Sequence, residues 1–285
     1  MTTLTSVPQA ASAAPVAEPP ARFRDLLASE WIKMRSLRST RWTLVFIALF
    51  VVGSSAVASL ADLDNLAKSG SDAPRVREFL CFDACPAAGY MTLMLVAGSI
   101  GAVTVVSEYS SGLIRTTSVA VPARHSVVLA KAVVVAAVWT VVGAIISTGA
   151  FLVSQAILSE RHAGVSITHP GVARAMVAST LVAPVCALVG LGLGALIRHT
   201  AASMVATLFT LLMLPTLFSQ SQQWSADINH MMVVSAWKRL VQSWEEIPGS
   251  SLIRDATVSG SWAVYALWPL IAVALAVVVV RHRDV

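Results

Sequence analysis

Few residues in this chain are equipped for chemistry, and they gather in short polar stretches between long apolar runs. Ser107 to Lys131 reads SEYSSGLIRTTSVAVPARHSVVLAK, with a single carboxylate, Glu108, followed by Arg115, Arg124 and Lys131. Upstream, SEWIKMRS brings Glu30, Trp31, Lys33 and Arg35 together. Glu245 and Glu246 form an acidic pair, but no His cluster follows, so a solvated acidic face is expected. Cys81 and Cys85 fall in one loop, where an oxidising side would allow a disulfide; two thiols without a nearby His make half a tetrahedral metal set at best. The six His fall in loops or at the ends of apolar runs and read as surface residues.

These types do not assemble a catalytic set. Within the apolar runs there is no paired Asp, no His and Glu ligand set and no His beside a Ser, which weighs against aspartyl, zinc and serine intramembrane proteases. Ion-coupled transport needs ionisable groups at membrane depth, and none is expected there. No G-x-x-x-x-G-K-[ST] phosphate loop occurs, so any ATP hydrolysis must come from another chain. The reading is therefore of a non-enzyme with no catalytic residue, no metal and no cofactor bound by this chain.

The elements that must position the polar stretches are set by composition. With 56% hydrophobic and 12% charged residues and a mean hydropathy of +0.74, the chain lies far from the soluble range, where roughly a quarter of residues are charged. An all-α integral membrane protein is expected. Six windows without Asp, Glu, Lys, Arg or His are long enough to cross a hydrocarbon core of roughly 30 Å: Thr43 to Leu60, Tyr90 to Val106, Ala132 to Leu158, Ala175 to Ile197, Thr200 to Phe218 and Trp262 to Val280. Pro184, Pro215 and Pro269 fall inside the last three and predict kinks rather than breaks.

Orientation follows from the connecting segments. With the N-terminus inside, the inner segments hold twelve Lys and Arg against five acids, a net +7, and the outer ones eight against ten, a net −2. The positive-inside bias then places both termini and the segment 107–131 in the cytoplasm, with Lys131 at the junction with the third span. This asymmetry accounts for the basic pI without a nucleic-acid partner.

Residues 1–20, rich in Ala, Pro and Thr, lack a basic start and a continuous apolar core, so a disordered cytoplasmic tail is expected rather than a signal peptide. Over 21–42, Phe23, Leu26, Leu27, Trp31, Met34 and Leu37 recur at helical spacing among basic residues, which predicts an amphipathic helix lying on membrane lipids. Glu30 falls inside that apolar stripe and needs a partner, either Lys33 or a base on another segment. Small residues recur in span two (Ala97, Gly98, Gly101, Ala102) and span four (Cys186, Gly190, Gly194), suiting either packing within the chain or an interface between protomers. In the segment 219–261, Ile228, Met232, Ala236, Leu240 and Trp244 form an i, i+4 stripe. It reads either as a shallow helical cap dipping into the outer leaflet, with Lys238 and Arg239 kept wet, or as a Trp anchor belt.

In the stretch 107–131, Gly112 permits a sharp change of direction and Pro122 ends a short element lying parallel to the membrane. The order Glu108, Gly112, Ile114, Pro122, Arg124, Lys131 resembles the first cytoplasmic loop of ABC-2 type permeases, the membrane subunits of bacterial ABC exporters. The stretch SEWIKMRSLRSTRWTL is similar to their interfacial helix, and the six-span plan over 43–285 matches the same family. The resemblance implies a permease of the inner (plasma) membrane, working as a homodimer or heterodimer with a second permease. ATP and Mg would sit on a separate ATP-binding subunit, coupled through Glu108, Gly112, Arg115 and Arg124, and the cargo would be a hydrophobic or amphipathic drug, antibiotic or lipid. The competing class is a membrane protein without an ATPase partner, either a structural factor or a lipid-handling enzyme.

Overall fold

Apolar sequence becomes helix almost throughout the computed structural model, which describes residues 22–36, 38–68, 84–112, 124–160, 164–218, 222–242 and 256–282. An amphipathic helix α1 (Phe23–Ser36) precedes α2 (Arg38–Lys68), α3 (Ala87–Ser110), α4 (Arg124–Ser159), α5 (Val172–Ile197) and α6 (Thr200–Leu208). Two short helices, α7 (Gln223–His230) and α8 (Val233–Val241), come before α9 (Val258–His282). Among the described residues there is no strand. Six segments are long and apolar enough to span a membrane: α2, α3, α4, α5, α6 with its continuation to Leu217, and α9. The protein is an all-α, multi-pass membrane protein.

The centre of the bundle is α5, which packs against α3, α4, α6, α8 and α9. Its close approach to α3 explains the small residues. A β-carbon added to Gly101 would stand 1.9 Å from the Ala187 carbonyl oxygen, and one on Gly190 equally close to that of Gly98. The two backbones touch, so the small residues of spans two and four serve each other within the chain. Outward faces are apolar instead: Phe46 and Leu49 on α2 and Leu270 and Leu275 on α9 are exposed, as a lipid-facing surface requires.

Pro184 and Pro269 stay inside continuous helices. Span five behaves differently: α6 widens into a π turn at Phe209–Met213 and then tightens to a 3-10 turn at Leu214–Leu217 that holds Pro215. A proline ring collides with the carbonyl four residues earlier, and a wider turn just upstream relieves that collision.

Three expected boundaries move. The interfacial helix occupies Phe23–Ser36 and not 21–42, because α2 already begins at Arg38. The loop 107–131 is shorter than its polarity implies: α3 continues to Ser110, and α4 starts at Arg124, so Lys131 lies two turns inside a helix and not at its junction. In 219–261 the stripe is split between α7 and α8 at Met231 and Met232. Met232, Ala236 and Leu240 are buried against protein rather than lipid, and Trp237 is fully buried and stacked on Tyr90 with centroids 5.3 Å apart. Trp224 remains exposed, and Trp244 lies outside the described residues, as do 1–20.

Candidate functional site

At the end of the bundle where α3 stops and α4 starts, four charges from three helices close into a ring. Glu30 and Lys33 come from α1, Glu108 from the last turn of α3 and Lys131 from α4. Lys33 Nζ donates to Glu30 Oε1 at 2.6 Å and to Glu108 Oε1 at 2.8 Å. Lys131 Nζ donates to Glu108 Oε1 at 2.9 Å and to Glu30 Oε2. Each ammonium touches both carboxylates, and the ring is neutral.

Burial grades the four members. The side chains of Glu30 and Lys131 are 3% and 7% exposed, that of Glu108 14% and that of Lys33 41%. Desolvation of so many charges is costly, and only such mutual pairing offsets it. For Lys33, burial disfavours the charged form. The hydrogen bonds and charges of Glu108 and Glu30 outweigh that, so its pKa lies above the ordinary 10.5. Beside the ring is a cavity of about 340 Å³, walled by Met34, Thr104, Ser107, Ser111 and Val134 as well as the four charges.

Local sequence explains each placement. On α1, Leu26 and Glu30 share the buried face while Trp31 and Ile32 face outward. Spacing of three residues then puts Lys33 beside Glu30. Helix α3 ends through Ser111, whose N–H and hydroxyl both donate to the Ser107 carbonyl, and Gly112 follows at φ +70°. No side chain would clash at Gly112; the left-handed backbone alone favours glycine. Next to Glu108, Tyr109 receives the Arg198 guanidinium 4.6 Å above its ring centre. Arg198 caps α5 at φ 58°, donating its N–H to the Gly194 carbonyl. Thus α1, α3, α4 and the α5–α6 turn are joined at one end of the bundle.

The sequence pairing of Glu30 with Lys33 holds, and a base from a distant segment, Lys131, joins it. Ionisable groups nevertheless occur within the spanning helices: Glu108 and Lys131 are inside α3 and α4, and Arg174 is inside the first turn of α5. The charge-free runs are shorter than the helices, which continue past them into charged sequence. Arg198 was visible only as one of several inner bases. Its signal is a lone Arg directly after an apolar helix that ends in glycines.

Other candidate residues are not brought into the ring. Ile114, Arg115 and Pro122 lie outside the described residues, and Arg124 is described only as the first residue of α4. Trp31 is half exposed, and the Arg35 carbonyl accepts from Arg41. Cys81 lies outside the described residues, while Cys85 is buried with its sulfur 3.2 Å from Ser179 Oγ. Glu245 and Glu246 also lie outside.

The opposite end is closed by α7 and α8 without an ion pair among the described residues. Asn229 Nδ2 donates to the carbonyls of Pro215 at 2.8 Å and Phe218 at 3.0 Å, and Asn229 Oδ1 accepts from Ser235 at 2.7 Å. Arg174 donates to the carbonyls of Leu240 and Gln242, capping α8. Trp237 Nε1 donates to Ser179 Oγ at 3.3 Å, and Arg239 Nε to the Ala256 carbonyl at 2.6 Å.

The ring is suited to holding helices together rather than to acid–base chemistry, since each carboxylate is held by two ammonium groups. Among the described residues no three His, Cys, Asp or Glu gather as a metal site. Neither a protein-family model nor a curated protein matches the chain, so the site is read from its own geometry.

Proposed function

We propose that the chain is the permease subunit of an ABC transporter of the ABC-2 type, in the inner (plasma) membrane with both termini in the cytoplasm. A separate ATP-binding subunit hydrolyses ATP with Mg, and a second permease, identical or related, completes the complex. The observation that carries this reading is the closed ring of Glu30, Lys33, Glu108 and Lys131. Residues 111–123 connect α3 to α4, and the ring fastens both flanking helices to α1. A partner that grips this loop therefore acts on a joined unit. ATP can drive transport only when the two states of the permease bind the ATPase differently, and this joined end is where such a difference is easily made. The polarity of the connecting segments supports the orientation. The middles of the spans, away from the charges near their ends, are apolar, which favours hydrophobic or amphipathic cargo.

Affinity purification of the tagged chain from mild-detergent membranes, followed by mass spectrometry, tests the reading. A protein with a phosphate loop is expected to co-purify and to be lost when 107–131 is scrambled. Recovery of no ATPase even after crosslinking would overturn it. Replacing Arg115 and Arg124 with Glu should leave membrane insertion intact and uncouple ATPase stimulation from transport. Normal transport by that double variant would count against the assignment.

A further inference from the structure

We infer that the groove between α1, α2 and α4 is a binding site for the headgroup of an anionic phospholipid. A cavity of about 270 Å³ opens there, on the other side of Met34 from the charge ring. Its walls divide by chemistry: Arg35 and Arg41 on the polar side, Trp31 at the rim, and Met34, Leu44 and Val138 as an apolar floor. No acidic residue lines it.

Two guanidinium groups without a carboxylate between them favour an anion. The planar fork of arginine matches phosphate oxygens two at a time. Arg41 is held in place by the Arg35 carbonyl, to which its Nε and Nη2 donate. That uses two of its five N–H groups and leaves the others for a ligand. Trp31, half exposed at the rim, has the amphipathic character of residues found at headgroup level.

The floor argues for a lipid over a soluble phosphate. From Val138 the surface continues along α4 through Val141 and Ile145, which are 60% and 62% exposed. On α2 it continues through Val45 and Leu49, also exposed. A chain leaving the groove along this path stays on apolar, lipid-facing surface, whereas a small anion would leave the floor uncovered. The site requires only that the protein be in a membrane, so it stands whether or not an ATPase partner is found.

Native mass spectrometry of the purified full chain, after exchange into detergent with added phosphatidylglycerol or phosphatidylcholine, tests the site. Wild type is expected to retain phosphatidylglycerol selectively, and Arg35→Gln with Arg41→Gln to weaken retention roughly thirtyfold. Arg24→Gln with Arg38→Gln removes the same charge from exposed positions outside the groove and should retain the lipid. Arg35→Lys with Arg41→Lys keeps the charge but not the fork and should fall between. A melting temperature unchanged among the variants shows that retention, and not folding, has been read. Equal loss in the Arg24 and Arg38 control would mean diffuse attraction and would overturn the site. So would equal retention of phosphatidylcholine, an unaffected groove variant, or displacement of the lipid by millimolar inorganic phosphate.

Discussion

The two ends of the bundle are closed by different physics. At one end, Glu30, Lys33, Glu108 and Lys131 join three helices through full charges, two of them almost wholly buried. At the other, α7 and α8 are fixed by an amide, an indole and arginines reaching backbone carbonyls, over the apolar contact of Trp237 with Tyr90. Hydrogen bonds to backbone carbonyls and hydroxyls can be lost one at a time. In the ring, removing a buried member leaves a buried charge stranded, so the cost there is set by how deeply the lost partner is buried.

The largest expected effect follows from that difference. Lys131→Met leaves Glu30 buried with only Lys33 beside it and should destabilise the protein by about 3–5 kcal/mol, read as a fall in melting temperature in detergent. Adding Glu30→Gln should recover more than half of the loss, since Lys33 and Glu108 still balance. If the double variant melts no higher than the single one, the ring is not a charge-balanced unit. Asn229→Ala should cost less, about 1–3 kcal/mol, by removing the amide that donates to the Pro215 and Phe218 carbonyls and accepts from Ser235; a loss as large as that of Lys131→Met would erase the contrast between the ends. Smallest is Lys33→Met, about 1 kcal/mol, because its side chain is 41% exposed and solvent screens the pair.

Lys33 also sets a pH dependence. Its folded pKa is raised above 10.5, so its contribution is fully present below that pH and is lost as pH rises through the folded value. The difference in melting temperature between wild type and Lys33→Met should stay constant through neutral pH and close only in strong alkali. A gap that closes near pH 7 would refute the pairing.

How much of this could be read from sequence depends on distance along the chain. Glu30 within an apolar stripe announced a partner, and Lys33, three residues on, was in reach. Lys131, 101 residues away, was not, because apolar windows fix where spans run but not which helix ends meet. The small residues of spans two and four stood out separately, yet nothing in either stripe named the other as its mate. In α8 the stripe was correct and its environment was not: periodicity tells which residues share a face and is silent on whether lipid or protein covers it. The π turn before Pro215 is a local answer to a local clash and leaves no pattern of its own.

Backbone contact between α3 and α5 also has a mechanical meaning. Where Gly98 meets Gly190 and Gly101 meets Ala187, no layer of side chains exists that could repack to let one helix slide past the other. The pair behaves as one strut, about 39 Å long for the 26 residues of α5 at 1.5 Å each. Glu108 is attached at one end and Arg174, which caps α8, at the other. The two attachment points are thus the ends of one backbone-packed pair, so a displacement at the charged end is expected to carry both helices together.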